Sequence, residues 1–495
     1  MQQAILEPAS TSQEIVHWSA VELSRRIHAR DVSCVEVMEA FLAQIDRLNP
    51  KVNAVVARVD PDHAVDQARQ RDVMLSQGRS GGWMHGFPLA PKDLSATAGM
   101  VTTMGSLALA DNVPAHDSIM VERLRRQGTV LIGKTNTPEF GLGSHTYNRV
   151  YGTTRNAWDP SRSAGGSSGG TAVAVALNML PVADGSDMMG SLRNPAAWNN
   201  IYGLRPSFGR VPYGPAGDVF FQQLGTEGPM ARHPQDLAWL LATQAGHDSR
   251  APLSLHDDPS CFAQPLQRDF RHARIGWLGD FGGYLAVEPA VMAANEMALH
   301  TFQHLGCHVE SVAPFFPMDA LWECWCTLRS MSVTGNLGHL YAATATRELL
   351  KPEAIWEIEQ GNSRGVADIN RAAATRTNWY QALLSQFATY DFLVLPCSQI
   401  APFSAEQSWP RTVAGRAMDT YHRWMEVVIG PTLACVPAAS LPSGFTADGL
   451  PLGLQVIAPP RSDFALLQLA AAWHEAFAPA RSTSPLLAPL RYCAD

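Results

Sequence analysis

Early in the chain, apolar residues recur at helical spacing; later they fall into short runs bounded by glycine or proline. Met38, Phe41, Leu42, Ile45 and Leu48 fall at i, i+3, i+4, i+7 and i+10 and form one helical face. Ser33, with Glu36 three residues on, fits a capping box opening that helix, and Asn49-Pro50 is expected to end it. Ser19 and Glu22 repeat the box. A third helix is predicted over residues 61–77, before Gly78, while residues 1–15 read as a loose arm. This opening predicts a helical layer packed on whatever follows.

The pattern then alternates. The run from Phe87 to Leu94 is broken by Pro88 and Pro91, which places Lys92 at a strand end or in the loop after it. Asp117 is expected to cap a helix to Gln127, closed by Gly128, with a strand over 129–132 and a turn over 133–138. Helix and strand return at 234–245, 274–278, 289–305 and 308–312, the rhythm of an α/β protein. From Pro317 to Tyr390 the pattern is nearly all helical, with Trp322, Trp325, Leu328, Trp356 and Trp379 on large apolar faces. Strands are predicted at 392–396 and 452–457, and a last amphipathic helix at 464–477. No linker composition interrupts the chain, so residues 1–495 are expected to form one α/β body with a peripheral helical region at about 315–390.

Composition narrows the class. With 46% hydrophobic and 17% charged residues the chain reads as globular, and a formal charge of −8 without a basic stripe argues against a nucleic-acid surface. Eight cysteines over 495 residues make no disulfide scaffold. Cys324 and Cys326, one residue apart on a predicted helix, suit buried apolar positions better than a metal site. With no basic, apolar leader pattern and no run of about 20 apolar residues, the expectation is a cytoplasmic protein without a membrane partner.

Two glycine-flanked serine turns stand out, one from Ser163 to Gly170 and one from Asp184 to Ser191. They bracket an alanine-rich helix predicted over 171–180 and stopped by Pro181. Glycine beside serine lets the backbone approach a ligand closely, so the turns are candidates to present two reacting hydroxyls. The plain alternative is a pair of glycine-rich connections around a core helix. Gly165 and Gly170 have the spacing of a phosphate loop, but Thr171 stands where its lysine belongs. Zinc-protease and calcium-loop patterns are missing.

Nucleophilic catalysis by such a serine needs a base to activate it, an acid for the leaving group and donors for the oxyanion. His85, His145 and His422 are candidate bases, none framed by glycines. Lysine can serve if kept neutral, which requires its pKa of about 10.4 to fall to roughly 7–8, a cost on the order of 3–5 kcal/mol. Lys92 lies among Leu89, Ala90, Pro91 and Leu94, which suits such burial, and Asp93 would point the other way on extended backbone. A surface lysine in a loop is the alternative.

At these residues the chain resembles the amidase signature hydrolases. The segment from Gly165 to Gly170 matches the family's central motif, Gly185 to Arg193 its nucleophile turn, and Pro91-Lys92-Asp93 its lysine segment. Gly133 to Gly141, Gly228 to Arg232 and Asp448 to Gln455 fit as well, so the likeness runs from about residue 20 to 475, weakest at about 250–430. The resemblance implies an α/β fold with a mixed central β-sheet covered by helices on both faces. It implies Ser191 as nucleophile, Ser167 as bridging serine after a cis Gly166–Ser167 peptide, and Lys92 as neutral base. Backbone N–H groups of Met188, Met189, Gly190 and Ser191 would form the oxyanion hole. Gly141 is a candidate substrate contact; Ser168, Asp187 and Arg193 would support the turns. No metal or cofactor is implied, and a homodimer is one expected state.

One departure bears on the pocket. The family usually has two glycines before the nucleophile, where this chain has Met189-Gly190. Methionine resists a positive φ, and with Met188 it is expected to reshape the acyl pocket. The expected function is hydrolysis of a small or medium carboxamide, with Phe220, Phe221, Trp322, Trp325, Trp409 and Trp424 suggesting an apolar or aryl preference. The glutaminase subunit of a tRNA-dependent amidotransferase looks similar over the same motifs, though Asn194 stands where that subunit usually carries glutamine. A non-catalytic binding protein on the same fold is the third reading.

Overall fold

An eight-stranded mixed sheet runs through the middle of the computed structural model, which describes residues 12–221 and 223–488. Its strands are β1 (Ala183–Asp187), β2 (Tyr202–Arg205), β3 (Thr226–Ala231), β4 (Arg274–Trp277), β5 (His308–Ser311), β6 (Phe392–Pro396), β7 (Ala438–Phe445) and β8 (Pro451–Ile457). They lie in the order β5-β4-β6-β8-β7-β2-β3-β1. β4 pairs in parallel with β5 and β6, and the remaining pairs are antiparallel. Successive side chains on a strand face opposite sides. On β6, Phe392 and Val394 accordingly join one hydrophobic core and Leu393 and Leu395 the other, so the sheet is covered on both faces.

The strands 129–132, 274–278, 308–312, 392–396 and 452–457 fall where the apolar runs predict them, with ends trimmed or extended by a residue or two. β1, β2, β3 and β7 are not legible as strands. Their glycines, prolines and polar residues hide the period, and neighbours on both faces bury them regardless.

In the N-terminal layer the capping box at Ser33 is present, but its helix, Cys34–Val52, runs through Pro50 and stops at Asn53 in the left-handed conformation. Ser19 caps Ala20–Ala29 with its hydroxyl only; the Glu22 carboxylate turns instead to Arg25 and Arg26. Ser118, rather than Asp117, caps Ile119–Arg126, while Asp117 accepts from Ala98 N–H and Arg125. Residues 1–11 of the expected arm lie outside the described residues, and Ser12–Ile15 is a helical turn.

Two small pairings carry this layer to the sheet. Pro88–Leu89 runs parallel to Val130–Leu131, and Lys92 bridges to Thr135 beside them. Asp93 N–H donates to the Thr135 carbonyl at 3.0 Å and Thr135 N–H to the Pro91 carbonyl at 3.1 Å, which pins Lys92 from both sides. Between the serine turns lies α1 (Gly169–Ala176), which ends earlier than predicted because Asn178 turns left-handed. α2 (Arg193–Trp198) follows the second turn. The region after 315 is helical as predicted, led by α3 (Met318–Ala342), with Pro352–Asn362 and Val366–Phe387 packed on it. Among the described residues no helix is long and apolar enough to cross a membrane.

Candidate active site

Strand β1 presents its polar residues with period two: Asp184 and Ser186 on one side, Asp187 on the other. On the first side Asp184 Oδ2 accepts the backbone N–H of Lys92 at 3.1 Å. The amine of Lys92 lies 2.7 Å from Ser167 Oγ, 2.8 Å from Ser168 Oγ and 3.0 Å from Ser186 Oγ. Lys92 is fully buried, and burial lowers its pKa to about 7 against the opposing pull of Asp184, Asp187 and Glu227. A neutral amine donates two hydrogen bonds and accepts one, so in that state one of the three hydroxyls donates to it.

On the other side Asp187 binds Arg193 through two bonds, Nε to Oδ2 at 2.9 Å and Nη2 to Oδ1 at 2.8 Å, both residues fully buried. Burial alone would raise the Asp187 carboxyl, but Arg193 and then Arg205 hold it well below the usual carboxylate range. Its oxygens accept the N–H groups of Gly190 at 3.0 Å and Leu192 at 3.1 Å, folding 187–192 into a tight turn. Arg193 is anchored in turn to the Val428 carbonyl at 2.9 Å, to Thr432 Oγ1 at 3.2 Å and to Gln455 Oε1.

The methionine at 189 is accommodated without left-handed backbone, because the positive φ of this turn, +76°, falls on Gly190. A Cβ at Gly190 would stand 2.8 Å from Val428 Cγ2, so the position excludes any side chain. Gly190 N–H is already bonded to Asp187, which leaves the N–H groups of Met188, Met189 and Ser191 as the unengaged donors of the expected oxyanion set.

The first turn is built as tightly. The Gly166–Ser167 peptide is cis, and the Gly166 carbonyl accepts from Ser144 Oγ, which also takes a bond from Asn194 Nδ2 at 3.1 Å. Thr171, the residue that spoils the phosphate-loop pattern, donates to the Asp184 carbonyl at 3.0 Å and pairs with Thr135 Oγ1 at 2.7 Å, tying α1 to β1. The two turns meet where Ser168 N–H donates to the Ser191 carbonyl at 3.2 Å.

Ser167 and Ser191 both line a cavity of about 520 Å³. Ser191 Oγ is not hydrogen-bonded to Ser167 Oγ, so the link from lysine to the first serine is made and the link between the serines is open. Such links often tighten only when substrate binds. Gly141 lines the same cavity, and a Cβ there would meet Leu94 Cδ1 at 2.8 Å. The apolar part of its wall includes Leu94, Met104, Phe140, Met188 and Leu337. The six aromatics expected to give an apolar preference are elsewhere. Phe220 and Phe221 are exposed, Trp322, Trp325 and Trp424 belong to the core, and Trp409 packs against it.

The three candidate histidines are also away from the cavity. His145 bonds Ser163 Oγ at 2.7 Å and the Ala405 carbonyl at 3.1 Å, and burial lowers its pKa to about 4. His85 bonds Gly81 N–H and the Arg71 carbonyl, and His422 is enclosed by Trp322, Trp356 and Tyr421.

Sequence reading missed three residues. Ser186 touches Lys92, and the alternation through Asp184, Ser186 and Asp187 would have shown it had the segment been read as a strand. Glu227 stands opposite Ser186 in the β1–β3 register and lines the cavity; burial and then Asp184 push its carboxyl up to about 8. Arg329 enters from α3, and no local motif marks it.

The family model described as Amidase matches residues 36–467. An acylamidase of Rhodococcus erythropolis is 32% identical over 467 residues, covering 93% of this chain and 96% of its own. A Glutamyl-tRNA(Gln) amidotransferase subunit of Chloroflexus aurantiacus is 34% identical over 487 residues, with the same coverages. Among solved structures, a bacterial aryl acylamidase of the amidase signature enzymes superposes with a TM-score of 0.87 at 29% identity, covering 93% of this chain and 97% of that one.

Proposed function

The chain belongs to the amidase family and is an amide hydrolase, and we propose that it cleaves its substrate through an acyl-enzyme on Ser191. Ser191 Oγ attacks the carbonyl carbon while its proton passes to Ser167 Oγ, whose own proton passes to the neutral Lys92 amine. The carbonyl oxygen, now negative, is held by backbone N–H groups of the 188–191 turn. As the C–N bond breaks, the proton returns from Lys92 through Ser167 to the leaving nitrogen. Water then attacks the ester on Ser191 by the same relay and releases the carboxylate. No step calls for a metal or a cofactor.

The observation that supports this most directly is the buried Lys92 amine, 2.7 Å from Ser167 Oγ, with burial lowering its pKa to about 7. We propose that the chain acts as one catalytic unit in the cytoplasm, alone or as a homodimer, with the helical region at about 315–390 shaping the cavity through α3. The substrate is a small or medium carboxamide, releasing ammonia or an amine. The acylamidase relatives favour an N-acyl or aryl amide. A fluorophosphonate probe followed by peptide mass spectrometry tests the assignment: label on Ser191, lost in Lys92→Ala, supports it, and label on another serine rejects it.

The 34% identity to an amidotransferase component supports a second reading, a glutaminase that works within a complex. Hydrolysis of free glutamine together with capture of a stable partner would favour it over a free-standing enzyme.

A further inference from the structure

Arg329 on α3 is 3% exposed and lines the cavity. Two of its nitrogens have oxygen partners: Nε donates to Glu357 Oε1 at 2.5 Å and Nη2 to Tyr421 Oη at 2.7 Å. Tyr421 donates to the same Glu357 oxygen at 2.7 Å, so the guanidinium is fixed in orientation. The third nitrogen, Nη1, has only the thioether of Met188, at 3.6 Å. A thioether is a weak acceptor, and a guanidinium carries five N–H donors, so this end of the cation, beside the cavity-lining Met188, is under-satisfied. Met188 belongs to the turn that leads to Ser191. Nη1 therefore lies within one side chain of the backbone that would hold the reacting carbonyl.

Neighbouring charge decides which ligand fits. Glu357, itself buried, already balances Arg329. A substrate carboxylate would add an uncompensated anion to a poorly solvated wall, whereas a neutral carbonyl oxygen accepts the bond without that cost. We propose that Arg329 is a specificity-determining residue that binds a second carbonyl oxygen of the substrate, so that the preferred substrates are small amides carrying another carbonyl a few atoms from the scissile bond. This rests on the amide hydrolase reading above.

Three isosteric 4-nitroanilides test it, with 4-methylpentanoyl, N-acetylglycyl and succinyl acyl groups presenting a hydrocarbon, a carbonyl and a carboxylate in one shape. A parallel set, N-isobutylbenzamide, hippuramide and hippurate, places the same groups on the amine and is followed by benzoate release. In one set, wild-type enzyme is expected to favour the carbonyl member over the hydrocarbon by about tenfold in kcat/KM, with the carboxylate poorest. In Arg329→Met/Glu357→Gln, which removes both charges together, that ratio is expected to fall to within about twofold of unity. Arg329→Lys keeps the charge but withdraws the fork, and should lose the ratio too, which covers failure of the double variant to fold. Glu357→Gln alone should raise the carboxylate member about tenfold relative to the carbonyl. An unchanged ratio in the variants, an equal loss on all members, or a wild-type preference for the carboxylate overturns the proposal. If wild-type enzyme cleaves none of the six, the hydrolase reading fails first and takes the proposal with it.

Discussion

Replacing Lys92 with methionine should make the protein more stable, and the gain should shrink as the solution becomes alkaline. An exposed lysine titrates at 10.5, whereas burial brings Lys92 to about 7. At about 1.4 kcal/mol per pH unit, that gap amounts to a folding cost on the order of 5 kcal/mol while the side chain is charged. Below about pH 7 the lysine carries its proton in both folded and unfolded chains, and the full cost is present. Between about 7 and 10.5 the unfolded chain keeps a proton that the folded chain has shed, so wild-type stability rises with pH. Above that range no further change occurs.

Methionine does not titrate, so its lead over wild type should fall by about 2.7 kcal/mol between pH 6 and pH 9. Any stability lost with the contacts to Ser167, Ser168 and Ser186 is the same at both pH values and cancels. For a chain of 495 residues, with an unfolding entropy of about 2.1 cal/mol/K per residue, the change in lead corresponds to about 2–3 °C. Scanning calorimetry of both proteins at the two pH values measures it without any substrate. A lead in Tm that stays constant from pH 6 to pH 9 would show that Lys92 is not held neutral, and the proposed relay would lose its base.

The same titration sets catalysis: kcat/KM should drop about tenfold per pH unit below pH 7, and activity holding level down to pH 5 would argue against a lysine base. Gly190→Ala combines a φ of +76° with a Cβ 2.8 Å from Val428 Cγ2, so it should displace the oxyanion turn. A fall of about a hundredfold in kcat is the expected steady-state result, and unchanged kcat would place the oxyanion donors elsewhere. Arg193→Met leaves the Asp187 carboxylate buried beside Arg205 alone, and urea unfolding should report a loss of about 3–5 kcal/mol. A loss below about 1 kcal/mol would mean that the pair does not organise the turn.

The sequence signals were uneven for identifiable reasons. Helices with strong apolar stripes, such as Cys34–Val52, and strands that are short apolar runs, such as Phe392–Pro396, could be read directly. Helix ends were less legible, since Pro50 is tolerated in a last turn whose stop is set by Asn53. The strand that holds the site together, Ala183–Asp187, could not be seen. Burial of its neighbours, rather than its own propensity, makes it a strand, and its glycine is where Ser168 comes close, a Cβ at Gly185 falling 2.7 Å from Ser168 Oγ. Lys92, Ser167 and Ser191, the residues of the proposed relay, stood out because glycine and proline frame them locally. Ser186 was hidden with its strand, whereas Glu227 and Arg329 reach the cavity only through long-range packing, which no local pattern encodes.

Arg193 ties the turn that carries Ser191 to the Val428 carbonyl, Thr432 and Gln455, all of which come late in the chain. The lysine lies in the first fifth of the polypeptide and the serines in the second, yet their brace arrives with the last strand of the sheet. A nascent chain on the ribosome therefore carries Lys92, Ser167 and Ser191 long before it carries the groups that brace the second turn. Any product of premature termination ahead of residue 455 lacks part of that brace. Synthesis order itself thus leaves the turn that carries Ser191 unbraced until the polypeptide is nearly finished.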